Sequence, residues 1–282
     1  MLFFALAGFA LRVVFQKLGF TIHPFYSVCI LGALVGILYV YYVRPGELIN
    51  YETGGFLSFL ETPAEQMDYA IRGGDLERVQ ALRQKYPGLD GTALHQAAYY
   101  GRCDVIRLLL ATGADIQSED WAGRTAVFKS LQGGYFGATE LLLKNGDDIN
   151  ATDNEGETPL FEAAENGDDR TVKWLLAHGL KINAKDKWER TPLHEAAMSG
   201  SVSTVQLLIA SNAEINMKDY QGQTPLCMAA GYGKKYVVLF LLTNKADVNT
   251  EDKDHITPLK IASSNGRGDI VALLERYGAT NN

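Results

Sequence analysis

The chain has 282 residues, of which 47% are hydrophobic and 21% are charged, and its formal net charge is −7. Chains of this composition bury a sizeable core, so the sequence excludes an intrinsically disordered protein. Residues 1–60 contain three bases and two acids, which leaves a net charge of −8 on the remainder. An acidic remainder argues against a nucleic-acid-binding protein, because such proteins neutralise phosphates with an excess of base.

The first predicted element is an uncharged apolar stretch, FYSVCILGALVGILYVYYV, at residues 25–43. Its 19 residues would give a helix of roughly 28 Å, close to the ~30 Å hydrocarbon core of a bilayer. The sequence therefore predicts a membrane-spanning helix in contact with lipid, within an anchor that covers residues 1–44. Residues 2–20 are interrupted by Arg12, Gln16 and Lys17, and both a second span and an interfacial helix fit them.

Two glycines of this apolar stretch, Gly32 and Gly36, form a GxxxG pair. Such a pair lets two helices approach closely and predicts either a homodimer or contact with another membrane subunit. Arg12 and Lys17 precede the stretch and Arg44 follows it, so the positive-inside rule places the following residues outside the cytoplasm. We expect a single- or double-pass membrane protein whose remaining domain lies on the non-cytoplasmic, periplasmic side.

After a linker at residues 45–61, one motif recurs through the rest of the chain. Its clearest copy is TPLHEAAMSG at residues 191–200, and five further copies follow the same pattern with changes. The opening threonines fall at a constant interval of 33 residues, which indicates a repeat array. Repeats 1 to 6 are numbered by their opening residues, Thr92, Thr125, Thr158, Thr191, Thr224 and Thr257.

Each repeat predicts two helices. Threonine followed by proline is typical of a helix start, since the threonine side chain can cap free amides and proline fits the first helical position. A second apolar run follows the glycine that ends the motif, so the two helices form a hairpin that stacks on its neighbours.

The residue eighteen positions after each threonine predicts how the stack is closed. It is apolar in repeats 1 to 5 and is Glu275 in repeat 6. The sequence therefore predicts a buried column with a polar C-terminal cap. Residues 62–91, with Arg83 in the same column, form a degenerate N-terminal capping repeat. The apolar members of the column are Leu110, Leu143, Leu176, Ile209 and Leu242.

The letters T-P-L-H-x-A-A-x-x-G at this period, followed by runs such as LLLATGADI and LLLKNGDDIN, resemble the ankyrin repeat. The resemblance implies that residues 62–282 form an all-α ankyrin-repeat solenoid of six repeats and a capping repeat, behind the predicted transmembrane segment. It also implies a concave face that binds other proteins. Repeat 2 lacks the proline and both alanines and contains Gly133, Gly134 and Gly137. Glycine is a poor helix former, so this repeat predicts a short or mobile first helix.

No residue pattern in the chain indicates catalysis or cofactor binding. His95 and His194 occupy the histidine position of the motif, where the resemblance implies that they brace the hairpin. The other histidines share no metal-ligand spacing, and the sequence contains no phosphate-binding loop and no catalytic triad signature. We expect that the protein binds no metal, cofactor or small-molecule substrate and is not an enzyme. The minor alternative is an enzyme that lacks a recognisable motif. Cys103 and Cys227 lie four repeats apart, so no disulfide is predicted between them. Free cysteines favour a cytoplasmic location for the repeats, in opposition to the positive-inside rule.

Two sets of side chains are candidates for binding a partner. The first comprises aromatic residues at the turn tips, Trp121, Trp188 and Tyr220, where no packing pattern requires an apolar residue. Large exposed aromatic residues are typical interface anchors. Trp174 falls in an apolar column instead and is predicted to pack between repeats. The second set lies on the first helices and would line the concave face: Gln96, Tyr99, Tyr100, Glu162, Glu195, Met228 and Tyr232.

The sequence thus predicts a membrane-anchored repeat protein that binds another protein and is not an enzyme. It would act as an accessory subunit or scaffold of a membrane-associated complex. The alternative is a free, membrane-tethered inhibitor, immunity-type or receptor protein that captures a soluble partner.

Overall fold

The computed structural model describes residues 62–280, which contain fourteen α-helices, one short 3₁₀ turn at Pro87–Leu89 and no strand. The helices are short and follow one another in pairs. In chain order they are α1 Pro63–Gly73, α2 Leu76–Lys85, α3 Asp90–Tyr99, α4 Cys103–Ala111, α5 Ala126–Gln132, α6 Phe136–Lys144, α7 Pro159–Asn166, α8 Asp169–Ala177, α9 Pro192–Ser199, α10 Val202–Ala210, α11 Pro225–Gly231, α12 Lys235–Thr243, α13 Pro258–Ser264 and α14 Gly268–Arg276.

The helices form two layers. The odd-numbered first helices contact the first helices of the neighbouring pairs, and the even-numbered second helices form a parallel layer behind them. Each first helix also packs on its own second helix, so every pair is a hairpin that the next hairpin covers. The described residues therefore form an all-helical repeat solenoid, with α1 and α2 at its N-terminal end and α13 and α14 at its C-terminal end.

The first helices of repeats 2 to 6 begin at the residue after the threonine, as the helix-start pattern predicts. Helix α3 of repeat 1 begins earlier, at Asp90, so Thr92 lies inside it. The Thr191 side chain accepts a main-chain hydrogen bond in α9, whereas the Oγ1 atom of Thr158 is buried without a hydrogen-bond partner. In repeat 3 the fixed φ of Pro159, rather than the threonine hydroxyl, favours the helix start.

The most deeply buried column differs by one position from the predicted one. It lies seventeen residues after each threonine and is 0% exposed in every repeat: Leu109, Leu142, Leu175, Leu208, Leu241 and Leu274. The predicted column, one residue later, is only partly buried in repeats 1 to 4. The reason is that one residue turns a side chain by about 100° around the helix axis. Leu274 also fills the core column in the last repeat, so the polar Glu275 covers the end of the array without interrupting its core.

Repeat 2 keeps a complete first helix, which corrects the prediction of a short one. Helix α5 has seven residues, as many as α11 and α13. A buried carboxylate replaces the missing proline as the stabiliser of the helix start. Asp147 Oδ2 accepts a hydrogen bond from the main-chain amide of Val127, 3.1 Å away, in the first turn of α5. This bond satisfies a free amide, and the carboxylate lies at the positive end of the helix dipole.

The contact between repeats 2 and 3 is the thinnest in the array, both between α5 and α7 and between α6 and α8. Aromatic side chains bridge this junction. The rings of Phe136 and Trp174 stack with centroids 5.2 Å apart and an interplanar angle of 8°. The Trp174 ring also stacks on His178, at 3.8 Å. Trp174 therefore packs between repeats, as its column predicts.

Within residues 62–280, no helix combines the length and the apolar character that a membrane span requires. The longest helix there has 11 residues, about 17 Å against the ~30 Å of a hydrocarbon core. This finding contradicts the prediction of a membrane location with the repeats on the periplasmic side, which the described structure does not support. The segments behind that prediction, residues 2–20 and 25–43, lie outside the described residues. Gly32 and Gly36, with the predicted lipid and homodimer contacts, lie outside them too.

Candidate functional site

The turns between repeats are built alike, each around one aspartate. Its side chain accepts hydrogen bonds from the main-chain amides two and four residues further on, at 2.8–3.0 Å. Such side-chain to main-chain bonds fix the conformation of a turn. The residues at each tip are therefore held on a rigid loop. The five aspartates are Asp120, Asp153, Asp186, Asp219 and Asp252.

Successive turns are also joined to one another. A main-chain amide of each later turn donates a hydrogen bond to a main-chain carbonyl of the turn before it, at 2.7–2.9 Å. The turn tips thus form one continuous edge along the solenoid, in which neighbouring tips keep a fixed spacing. The pairs are Asn154 with Ala122, Lys187 with Glu155, Tyr220 with Trp188, and Lys253 with Gln221.

The three aromatic residues predicted at the turn tips are exposed. Trp121 is 92% exposed, Tyr220 is 61% and Trp188 is 42%. The Lys187 ammonium lies 4.3 Å from the Trp188 ring centroid, and the Arg190 guanidinium lies 4.5 Å from it. Cation–π contacts of this kind hold a ring in place while leaving much of it accessible. The structure therefore places these aromatic rings on one fixed edge, and their role in binding stays a prediction.

The predicted residues of the first helices occupy the other part of the candidate surface. Tyr99 is 43% exposed and Tyr232 is 56% exposed. Tyr100 meets Tyr99 edge to face, with ring centroids 5.2 Å apart. Gln96 and Glu162 are partly buried. These five side chains are accessible to a partner, and the rings of Tyr99 and Tyr100 form an aromatic patch at the N-terminal end.

Glu195, another predicted residue of the first helices, belongs to a charged cluster around Arg190. The Arg190 guanidinium lies 2.7 Å from Asp186 Oδ2 and 2.7 Å from Glu195 Oε1. It also lies 3.4 Å from Glu157 Oε1, which comes from the preceding repeat. Glu195 is only 6% exposed, so a partner would sense its charge through Arg190 without touching it. Three carboxylates share one base here, and the cluster carries an excess of negative charge.

Two carboxyl groups of this cluster, those of Glu157 and Glu195, bind their protons more tightly than usual. The pKa of Glu157 is raised to about 7, first because burial disfavours its charge and then because Asp153, Glu195 and Asp186 lie nearby, with Arg190 opposing them. Burial also raises the pKa of Glu195. Oxygens of Glu157, Asp186 and Glu195 lie within 4.8 Å of one another. These oxygens are close enough together to bind one cation, but the Arg190 guanidinium already provides positive charge beside them.

An apolar cavity of about 290 Å³ opens between α11 and α13. Met228, Ile261 and Tyr232 line it together with the amide side chains of Gln223 and Asn265. Met228 and Ile261 stand four residues after their threonines, where repeats 1 to 4 have polar residues. Sequence reasoning missed Ile261, although this change of residue type along one repeat position was the signal that could have found it.

His95 and His194 link neighbouring repeats. His194 Nδ1 accepts a hydrogen bond from the Thr191 amide at 3.0 Å, and its Nε2 donates to the Gln223 carbonyl of the next turn at 3.2 Å. Burial lowers the pKa of His194, so the ring is neutral at pH 7. His95 Nε2 lies 2.9 Å from the Arg124 carbonyl and makes the equivalent link. Both histidines thus join neighbouring repeats, whereas the resemblance implies that they brace the hairpin of their own repeat.

Comparison with known proteins agrees with this architecture. The profile of a family described as "Ankyrin repeats (3 copies)" matches residues 67–153, 94–186, 132–219 and 193–282, which together span most of the chain. A probable E3 ubiquitin-protein ligase, XBOS32, of Oryza sativa subsp. japonica is 30% identical over an alignment of 96 residues that covers 29% of this chain and 19% of that protein. The chain therefore spans about a fifth of the length of this relative.

Proposed function

Because the chain belongs to the ankyrin-repeat family, we propose that it binds another protein through its turn tips and concave face, and that it carries out no chemistry itself. The concave face is here the surface formed by the first helices α3 to α13 and the residues just before their threonines. Ankyrin repeats point to protein partners, and this chain presents accessible side chains on both parts of that surface.

The observation that carries the proposal is the row of exposed aromatic rings on rigid turns. Trp121, Trp188 and Tyr220 stand on loops whose main chain is fixed by aspartate hydrogen bonds before any partner arrives. Fixing an interface in advance reduces the entropy lost on binding. Tryptophan and tyrosine are also enriched among the residues that contribute most to protein interfaces.

The net charge of the chain favours a protein over a nucleic acid as the partner. The net charge of −7 opposes approach to the phosphates of nucleic acids. The partner is therefore a protein. The ligase activity for which XBOS32 is named belongs to a protein of which this chain spans about a fifth, and we do not extend it to this chain.

Two arrangements of the complex are open: an accessory subunit or scaffold within a larger assembly, and a free inhibitor, immunity-type or receptor protein that captures its partner. Purification of the full chain from its own cells under mild conditions separates them. A subunit brings its neighbours along in a fixed ratio, whereas a capturing protein is recovered both alone and bound.

Replacement of the three turn-tip aromatic residues tests the proposed function. Trp121→Ala, Trp188→Ala and Tyr220→Ala together should weaken the affinity for the co-purified partner by more than about tenfold, since each anchor residue typically contributes over about 1 kcal/mol. Thermal unfolding should stay nearly unchanged, because exposed residues away from special features alter stability by only about 0.5 kcal/mol.

Tyr236→Ala provides the matched control. This tyrosine is 76% exposed on α12, away from the turns, and its loss should leave the affinity unchanged. A large loss of stability in the triple variant would show that the tip residues are packing residues. Unchanged affinity in that variant would place the interface elsewhere.

A further inference from the structure

Two repeat positions change character together along the concave face. Four residues after the threonine, repeats 1 to 4 carry polar or charged residues, whereas repeats 5 and 6 carry Met228 and Ile261. The residue just before the threonine is charged in repeats 2 to 4 and uncharged in repeats 5 and 6. The concave face is therefore divided between repeats 4 and 5 into a charged half and an apolar half.

The charged half has more acids than its bases can neutralise. Arg124 lies 3.5 Å from both Asp153 and Glu162, so one guanidinium serves two carboxylates. Arg190 serves three carboxylates in the cluster described above. Glu165, which is exposed on α7, adds a further negative charge on the same face. Lys129, which is also on this face, pairs with Asp120 at 2.8 Å, and the acids of the face still outnumber its bases. A positively charged group from outside would thus be attracted to it.

Two details of the Arg190 cluster would favour an approaching cation. Glu195 Oε1 is buried and makes no well-formed hydrogen bond, although it lies 2.7 Å from Arg190 Nη1. Glu157 has a pKa of about 7, so its carboxyl group keeps a proton over part of the neutral range. An approaching cation favours the ionised form of such a group. Glu157 would therefore lose its proton and become negatively charged when a basic partner binds.

The apolar half offers a place for one side chain. Its cavity of about 290 Å³ lies just below the range of roughly 300–1,000 Å³ that is typical of small-molecule pockets. Gly231 helps to keep this space open, because a Cβ atom there would lie 3.1 Å from Ile261 Cγ2. The exposed ring of Tyr232 stands beside the opening. The cavity suits a leucine, methionine or phenylalanine side chain better than a cofactor.

The distance between the two halves sets a spacing in the partner. Neighbouring packed helices lie about 8–10 Å apart, so α9 and its acidic cluster are roughly 12–15 Å from a point between α11 and α13. An extended chain advances about 3.3 Å per residue. It therefore covers this distance in about four or five residues.

We infer that the concave face binds a basic segment of a partner protein, with one large apolar side chain in the cavity beside Met228 and Ile261. A lysine or arginine about four or five residues away lies against the acidic cluster around Arg190. This inference rests on the proposed function, because it describes the chemistry of the partner of the same face. The net negative charge of the whole chain also speeds the approach of a basic segment.

Selection of peptides on the immobilised full chain tests the inference. The probe is a displayed library of random peptides of about twelve residues, long enough to span roughly 40 Å when extended. The enriched sequences should pair a large apolar residue with lysine or arginine at the expected spacing. In solution, Glu165→Lys should weaken an enriched peptide about tenfold at low salt, equivalent to about 1.4 kcal/mol. Met228→Gln should weaken it as well.

Glu140→Lys is the matched control, because it makes the same change of charge at an exposed position on α6, in the second-helix layer. It should change the affinity by less than about twofold, since exposed charges separated by more than about 10 Å are screened. Circular dichroism would verify that both variants are folded. Enrichment of acidic or uncharged peptides, the absence of any enrichment, or a Glu165→Lys variant with full affinity would overturn the inference.

The same selection distinguishes this inference from the proposed function. Acidic or uncharged peptides that lose affinity when Tyr232 is replaced by alanine would occupy the concave face, so the proposed function would stand and the basic chemistry would be wrong. Peptides and co-purified partners that ignore both Tyr232→Ala and the triple turn-tip variant would overturn the proposed function as well.

Discussion

Repeats 2 and 4 build the same hairpin from sequences that share few letters. Repeat 4 opens with TPLHEAAMSG and repeat 2 opens with TAVFKSLQGG, yet α5 has seven residues and α9 has eight. Both repeats bury a leucine completely at the same position, Leu142 in repeat 2 and Leu208 in repeat 4. The period of 33 residues and this leucine column therefore fix the hairpin, whereas the letters of the motif can be replaced.

The two repeats stabilise the start of the first helix by different means. In repeat 4, Thr191 and His194 form a capping box within the first turn of α9. In repeat 2, the carboxylate of Asp147 reaches the Val127 amide from beyond the second helix of the same repeat. The free amides of a helix start need a partner in either case. Local sequence supplies that partner in repeat 4, and tertiary structure supplies it in repeat 2.

The largest expected effect comes from the shared leucine column. Leu208→Ala and Leu142→Ala should each lower the free energy of unfolding by about 2 to 5 kcal/mol, since each leaves a cavity in place of a buried side chain. Leu208→Ala should cost more. Repeat 2 borders the thinnest contact of the array, so its neighbours can move further into the cavity. Urea unfolding of the two variants measures the difference.

Ile209→Ala is the control for this comparison, because Ile209 lies one residue further along α10 and is only partly buried. It should cost clearly less than Leu208→Ala. If Leu208→Ala cost less than about 1 kcal/mol, the stacking register would be wrong. If Leu142→Ala cost more than Leu208→Ala, repeat 2 would be the more tightly packed of the two.

The second effect concerns the helix start of repeat 2. Asp147→Ala should lower the free energy of unfolding by about 1 kcal/mol, because it leaves the Val127 amide without an acceptor, as in the loss of a helix cap. Asp147→Asn keeps an acceptor for the Val127 amide and removes a buried charge whose pKa is raised by desolvation. It also loses the second oxygen, which accepts a hydrogen bond from the Asp148 amide, so the asparagine variant should lose less stability than the alanine variant at pH 7 without exceeding the wild type. If the alanine variant were as stable as the wild type, the Val127 amide would need no hydrogen-bond acceptor.

Much of the fold could be predicted because its signals are local. The period, the Thr-Pro starts at Pro159 and Pro192, and the alternation of two short helices are all visible within one repeat. The exposure of Trp121 also follows from its position, since no neighbouring repeat has an apolar residue that would cover it. The turn tips are thus the part of the candidate site that sequence reasoning could locate.

The remaining features depend on contacts between repeats. Glu195 has the same position in its repeat as the accessible Glu162, yet it is buried, with the Arg190 guanidinium 2.7 Å from its carboxylate. Asp147 looks like a surface residue of a loop in the sequence, although it contacts an amide 20 residues earlier in the chain. The predicted buried column lies one residue after the observed one, because periodicity alone does not fix the rotation of a helix about its axis. Packing against the neighbouring hairpins fixes it.

The third and smallest effect concerns the arginine that precedes the threonine in both repeats. Arg124, which precedes repeat 2, lies 3.5 Å from two carboxylates, whereas Arg190, which precedes repeat 4, lies within 3.4 Å of three. Burial, and then the negative charges of the neighbouring carboxylates, raise the pKa of Glu157 from 4.5 to about 7. The folded protein therefore binds this proton more tightly than the unfolded chain does. The stability that the proton provides is complete below about pH 4.5 and is lost as the pH rises through about 7.

We expect the free energy of unfolding of the wild type to fall between about pH 5 and pH 8 through this group, by a modest amount because Glu157 is partly exposed and solvent screens its interactions. Glu157→Gln, which carries no charge at any pH, should remove that part of the slope and be more stable than the wild type at about pH 8. Glu155→Gln, in the same turn, should keep the wild-type slope. Urea unfolding at several pH values compares the three proteins. An unchanged slope in Glu157→Gln would mean that neither burial nor the neighbouring carboxylates raise the pKa of Glu157, and that the cluster around Arg190 makes the stability no more sensitive to pH than the surroundings of Arg124 do.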